Sequence, residues 1–133
     1  MKRFHLIPAL CVLLSALFGS SAQAITAAEQ LAAYTAQAGA PAQAARGQQL
    51  FNSKHGKDLS CASCHGATPT AEGKHASTAK PIAPLAPAFS ADRFTDAAKA
   101  EKWFRRNCND VMARECTASE KADVLAWLLS LKR

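Results

Sequence analysis

Apolar residues recur at helical spacing in three stretches of this 133-residue chain, and no stretch alternates as a strand would. Thr26-Ala27-Ala28-Glu29 has the form of a capping box, in which threonine and glutamate satisfy free N–H groups at a helix start. A helix should run from there to about Ala38, where Gly39 stops it and Pro41 opens the next segment. Residues 42–53 predict a second helix. Gly47, Leu50 and Phe51 fall on one face at i, i+3 and i+4, and a glycine there lets another helix cross closely. A third helix starts at Thr95 or Asp96 and reaches about Asn107, with Ala100, Trp103, Phe104 and Asn107 as its inward stripe and Lys99, Lys102, Arg105 and Arg106 outside. Thr117-Ala118-Ser119-Glu120 is a second capping box. It opens a last helix over 118–131, whose stripe of Val124, Leu128 and Leu131 is widened by Leu125 and Trp127. Lys132 and Arg133 suit that helix's C-terminus. Residues 66–95 show no periodicity, and from Lys80 to Pro87 a proline stands at every third position, which predicts an extended, polyproline-like run. The expected class is all-α, with four or five short helices and neither repeats nor low-complexity tracts.

The N-terminus reads differently. Lys2 and Arg3 precede an apolar run from Leu6 to Phe18, broken only by Pro8 and Ser15, and Ala22-Gln23-Ala24 supplies an A-x-A cleavage signal. That is a secretory signal peptide, with an apolar run too short to span a bilayer. Residues 1–24 should therefore be removed together with Cys11, leaving residues 25–133 as one small domain that is not anchored in a membrane. The whole chain has a formal charge of +6 at pH 7, part of it in the leader. So mild an excess argues against nucleic acid as a ligand and suits at most transient docking to an acidic redox partner.

Four cysteines remain, Cys61, Cys64, Cys108 and Cys116. Cys61-Ala62-Ser63-Cys64-His65 spells C-x-x-C-H, the attachment sequence for a covalent c-type haem. Two thiols at this spacing can each add to one vinyl group, and the next residue, His65, then lies under the iron as proximal ligand. A thioredoxin-like pair would need a βαβ context, and a zinc site would need two further ligands at suitable spacing. A disulfide between residues three apart would gain little loop entropy. Covalent haem plus a secretion signal places the product in a bacterial periplasm. In that oxidising compartment the two cysteines the haem does not use, Cys108 and Cys116, should pair. His55 and His75 read as ordinary surface histidines. The proline-rich run can wall the haem edge, and the carbonyl of Pro81 or Pro84 is the expected acceptor for the spare N–H of His65.

The other face of the iron is the open question. An electron-carrying cytochrome of this kind uses a methionine there, and residues 25–133 hold only Met112, between Cys108 and Cys116 in an expected loop. Asn107 continues an otherwise apolar helical face, where a polar amide needs a partner. It serves either as the helix C-cap or as an amide facing the iron, whereas Asn109 should point elsewhere.

The pattern resembles the class I cytochrome c fold, in which an N-terminal helix with a glycine and an aromatic crosses a C-terminal helix with another aromatic. Gly47 and Phe51 match the first and Trp127 the second, so the resemblance spans roughly residues 42–131. A more specific likeness lies in Arg106-Asn107-Cys108-Asn109, Arg114-Glu115-Cys116-Thr117, Glu120-Lys121-Ala122-Asp123 and Leu125-Ala126-Trp127-Leu128. With Ile82 to Pro87, Arg93-Phe94-Thr95-Asp96 and Glu101-Lys102-Trp103, these resemble the SHP (sphaeroides haem protein) family of oxygen-binding, high-spin monohaem cytochromes c. The resemblance implies Asn107 as distal ligand and a Cys108–Cys116 disulfide. It further implies that the asparagine leaves the iron on reduction and that the opened site binds O2, NO or CO. A dihaem cytochrome c and a membrane cytochrome b are the implied electron donors, and the resemblance leaves room for oxidase or nitric oxide dioxygenase activity.

A carboxamide oxygen is a hard, weak-field donor that suits ferric iron better than the softer ferrous ion, and a thioether behaves the other way. Asparagine in place of methionine should therefore lower the potential and make the ligand displaceable. The rival reading is a plain carrier ligated by His65 and Met112. A third is a thiol-disulfide sensor working through Cys108 and Cys116. Lys99, Lys102, Arg105 and Arg106 are a candidate docking face.

Overall fold

The computed structural model describes residues 24–56 and 58–133, so the expected leader lies, but for Ala24, outside the described residues. Among the described residues no helix is long and apolar enough to cross a membrane. Helix α1 spans Ala27–Ala38: both halves of the Thr26/Glu29 capping box form, and Gly39 closes the helix in the left-handed conformation at φ 64°. Helix α2 spans Ala44–Asn52, and the haem motif follows as the short helix α3, Ala62–His65. Helix α4 spans Ala97–Met112, capped by the Asp96 side chain, and α5 spans Ala118–Ser130 behind the complete Thr117/Glu120 capping box.

The frame is the crossing of α2 and α5. A Cβ built on Gly47 would stand 2.0 Å from the Asp123 carbonyl oxygen, so only glycine allows the two backbones to meet there. Asp123, buried on α5, accepts the Gln43 N–H at 2.7 Å and pairs with the Arg46 guanidinium, which fastens the start of α2 at the same point. Phe51 and Trp127 then pack at 5.0 Å between ring centroids, joined in the core by Val124 and Leu128. A second cluster of Tyr34, Ala122 and Leu125 holds α1 on the other side of α5.

Three expectations change. Gly73–Lys74 (β1) and Pro81–Ile82 (β2) form a two-residue antiparallel bridge where no strand was expected. Pairs this short carry no alternation to read. Here β1 is set by its close approach to α3, since a Cβ on Gly73 would lie 2.2 Å from the Cys64 carbonyl oxygen. Helix α4 continues past Asn107 to Met112, because Phe104, Cys108 and Val111 prolong its apolar face and Ala113, at φ 56°, is the left-handed cap. Met112 is therefore helical, and Asn107 is not a C-cap. Trp103, expected inward, is 43% exposed. The buried face of α4 runs through Ala100, Cys108 and Val111, with Phe104 half-buried beside them.

Candidate haem site

Ser60 and Ser63 open α3 with reciprocal bonds: the Ser60 N–H donates to Ser63 Oγ at 3.0 Å, and the Ser63 N–H to Ser60 Oγ at 3.1 Å. The helix ends when the Gly66 N–H reaches the Ala62 carbonyl at 2.9 Å, with Gly66 at φ 80°. This single turn carries Cys61, Cys64 and His65 to one cavity of about 480 Å³, walled by Phe51, Leu59, Ile82, Leu85, Phe94, Phe104, Val111, Val124 and Leu128. Both thiols are free of any disulfide. Burial pushes the Cys61 thiol up to about 11. Burial first, and the Arg93 charge second, push His65 down to about 4, so its imidazole is neutral at pH 7 with a lone pair available to a metal. The Phe51 ring packs 6.1 Å from that of His65, tying the site to the helix crossing.

The proline-rich run walls the cavity through Ile82 and Leu85, but its carbonyls are used differently from the expectation. Arg93 Nε donates to the Pro84 carbonyl at 2.9 Å and Arg93 Nη2 to the Ala83 carbonyl at 2.7 Å, while Pro81 stands in β2. The Pro84 carbonyl thus accepts from Arg93, a contact with no readable spacing signal in the sequence.

The far wall candidates come from α4 and the loop behind it. The structure joins Cys108 to Cys116 with a Cα–Cα separation of 5.7 Å, tying the last turns of α4 to the residue before the α5 N-cap. Asn107 and Met112 both line the cavity. At about 100° of rotation per residue, the α4 residues lining it spread over an arc from Arg106 to Met112, and Asn107 and Val111 occupy its middle. Asn109 turns away, donating from its side chain to the Arg105 carbonyl at 2.8 Å. His55 is engaged with the Leu50 carbonyl at 3.0 Å and is not among the lining residues. His75, read as a surface residue, does line the cavity. Its Nδ1 accepts the Thr78 N–H at 3.3 Å, which puts the proton of the neutral ring on Nε2, the wrong tautomer for an Nε2 ligand.

Two unpaired thiols and a neutral imidazole on one turn, facing a large apolar cavity, fit a covalently held haem in donor set and in surroundings. Three histidine or acid side chains gathered as an ordinary metal site are not found among the described residues.

Comparison with known proteins agrees. Residues 37–128 match the family model described as a domain of unknown function, DUF1924. The chain is 55% identical over 105 residues to the cytochrome c-type protein SHP of Cereibacter sphaeroides, covering 76% of this chain and 81% of that protein. The solved structure of oxidized SHP, described as an oxygen-binding cytochrome c, superposes with a TM-score of 0.75 at 50% identity, over 81% of this chain and 99% of that one. Oxidized cytochrome c'' from Methylophilus methylotrophus superposes at 0.71 with 35% identity, over 80% and 95% of the two chains. A solution structure of the same cytochrome c'', concerned with haem-ligand detachment, gives 0.68 at 38% identity, over 80% and 94%. By sequence and by fold, the chain belongs to the SHP family of c-type cytochromes.

Proposed function

We propose that this protein carries one haem c on Cys61, Cys64 and His65, takes up electrons in the periplasm, and in its reduced form binds a small diatomic gas at the position Asn107 gives up. The bound haem supplies the iron that holds the electron and meets the gas. Cys61 and Cys64 anchor the porphyrin, and neutral His65 offers one ring nitrogen from the proximal side. Asn107 offers a carboxamide oxygen, adequate for ferric iron and poor for ferrous. Val111 and Phe104 beside it on the wall are apolar, while Arg106 and Asp110 of the same helix also line the cavity. The disulfide beside Asn107 limits how far the end of α4 can move when the amide lets go.

The observation that carries this reading is the rotation of α4, which centres Asn107 rather than Met112 on the cavity-facing arc. It is supported by the oxygen binding ascribed to SHP and the ligand detachment ascribed to cytochrome c''. The test is the optical spectrum of the reduced holoprotein with and without CO, repeated on Asn107→Ala and Met112→Leu. The wild type should be high-spin when ferrous and bind CO at once, with Met112→Leu unchanged and Asn107→Ala altered in its ferric spectrum. A low-spin ferrous form that ignores CO, and that is lost in Met112→Leu, would instead establish the plain electron carrier.

A further inference from the structure

Trp103 is the one large hydrophobic side chain exposed among the described residues. It lies on the outer face of α4 with Lys99, Lys102 and Arg106, all four exposed and within about a third of the helix circumference. The Arg106 guanidinium sits over the Trp103 ring, 5.6 Å from its centroid, and Arg106 also lines the cavity. The stripe thus runs from open solvent to the edge of the proposed haem site. Beneath Trp103 is a shallow groove bordered by Leu85, Phe94 and Ala100. Two acids on its rim are already engaged: Asp92 accepts from Ser90 Oγ at 2.8 Å, and Asp96 caps α4 by accepting the Lys99 N–H at 2.9 Å. Asp110 is the one acid on the stripe itself, at its far end.

We propose that Trp103, flanked by Lys99, Lys102 and Arg106, is the docking point for an acidic electron-donor protein. An exposed tryptophan braced by arginine supplies the buried anchor that dominates binding energy in a transient interface. Lysines around it steer a negative surface and set the on-rate. One electron passes from the donor to the ferric haem, and no covalent bond of this chain forms or breaks. The inference rests on the haem reading of the cavity.

The test uses the ferric holoprotein and reduced flavodoxin, an acidic flavoprotein, as donor in stopped flow. Its anionic flavin hydroquinone gives up one electron and becomes the neutral semiquinone, with no proton released. The wild-type rate should fall steeply between low and high salt. Lys99→Glu/Lys102→Glu should slow reduction by about tenfold or more at low salt and flatten the salt dependence. The control Lys54→Glu/Lys132→Glu changes net charge equally on other elements and should do much less. Trp103→Ala should raise the half-saturating donor concentration by about tenfold, with the salt slope retained, and Trp103→Phe should recover part of the loss. Excess dithionite should reduce every variant completely, showing that the haem remains intact. A salt-independent rate, an equal effect of the two charge reversals, or a Trp103→Ala protein indistinguishable from wild type overturns the docking surface. CO binding on the same reduced samples keeps the two readings apart: its absence sinks the gas site while the docking result stands.

Discussion

Replacing Gly47 with alanine should unfasten the frame that holds the site. The new Cβ would lie 2.0 Å from the Asp123 carbonyl oxygen, 2.2 Å from its carbon and 2.6 Å from the Val124 nitrogen. Ordinary contact begins at 3.4 Å, so α2 and α5 must part by more than 1 Å along that line. The obstacle is helical backbone, which cannot swing aside as a side-chain end would. Alanine gains about 1 kcal/mol over glycine in a helix interior, whereas overpacking costs about 1–3 kcal/mol or more. The separation also stretches the Gln43 bond to Asp123 and the contact of Phe51 with Trp127. A net loss of about 2 kcal/mol is expected, which for a domain of this size lowers Tm by roughly 8–16 °C. Thermal melts of the holoprotein, followed by far-UV circular dichroism and by haem absorbance, measure it. Gly56→Ala is the control, since nothing lies within 4 Å of the added Cβ, and it should melt like wild type. A Gly47→Ala protein that melts at or above the wild-type temperature would refute the close-crossing argument. Because Phe51 packs on both Trp127 and His65, the haem band should also shift in this variant before global unfolding.

Other expectations follow from the same contacts. Asp123→Ala removes the buried acceptor of the Gln43 N–H and the partner of Arg46, and should cost about 2–4 kcal/mol in denaturant melts. A loss within error would mean that water replaces the carboxylate. Cys108→Ser/Cys116→Ser should lose about 2.5 kcal/mol by loop entropy for a separation of 8 residues, and CO affinity measured on the same protein shows whether the bridge also tunes the proposed gas site. The Arg114 guanidinium, followed by the α5 cap, holds the Glu120 carboxyl below its ordinary value. The unfolded state therefore binds the proton more readily, so this contribution is present above the ordinary carboxylate range and fades as pH falls through the lowered value. Arg114→Ala should flatten the acid limb of the stability profile, and an unchanged limb would assign it to other groups.

The clearest sequence signals were local. Both capping boxes, the Gly39 stop and the C-x-x-C-H turn each depend on residues within four positions of one another, so the chemistry that forms them is complete in the sequence itself. Gly47 facing α5 was also legible, because a glycine on an apolar helical face has few other uses. The orientation of α4 was not. The stripe through Ala100, Trp103, Phe104 and Asn107 and the one through Ala100, Phe104, Cys108 and Val111 both obey helical spacing, and they differ by a rotation of about 50°. Periodicity cannot choose between faces so close. The choice is made by remote groups: Tyr34 and Phe94 against Phe104, Lys121 paired with Glu101, and Cys116 bonded to Cys108. The same is true of Arg93, whose guanidinium meets the Pro84 carbonyl nine positions away. The sequence by itself determined the helix starts, their caps and the C-x-x-C-H turn that carries Cys61, Cys64 and His65. Tertiary packing alone decided which side of α4 faces the cavity and which, with Trp103, is left exposed, because helix rotation is settled by contacts between distant segments.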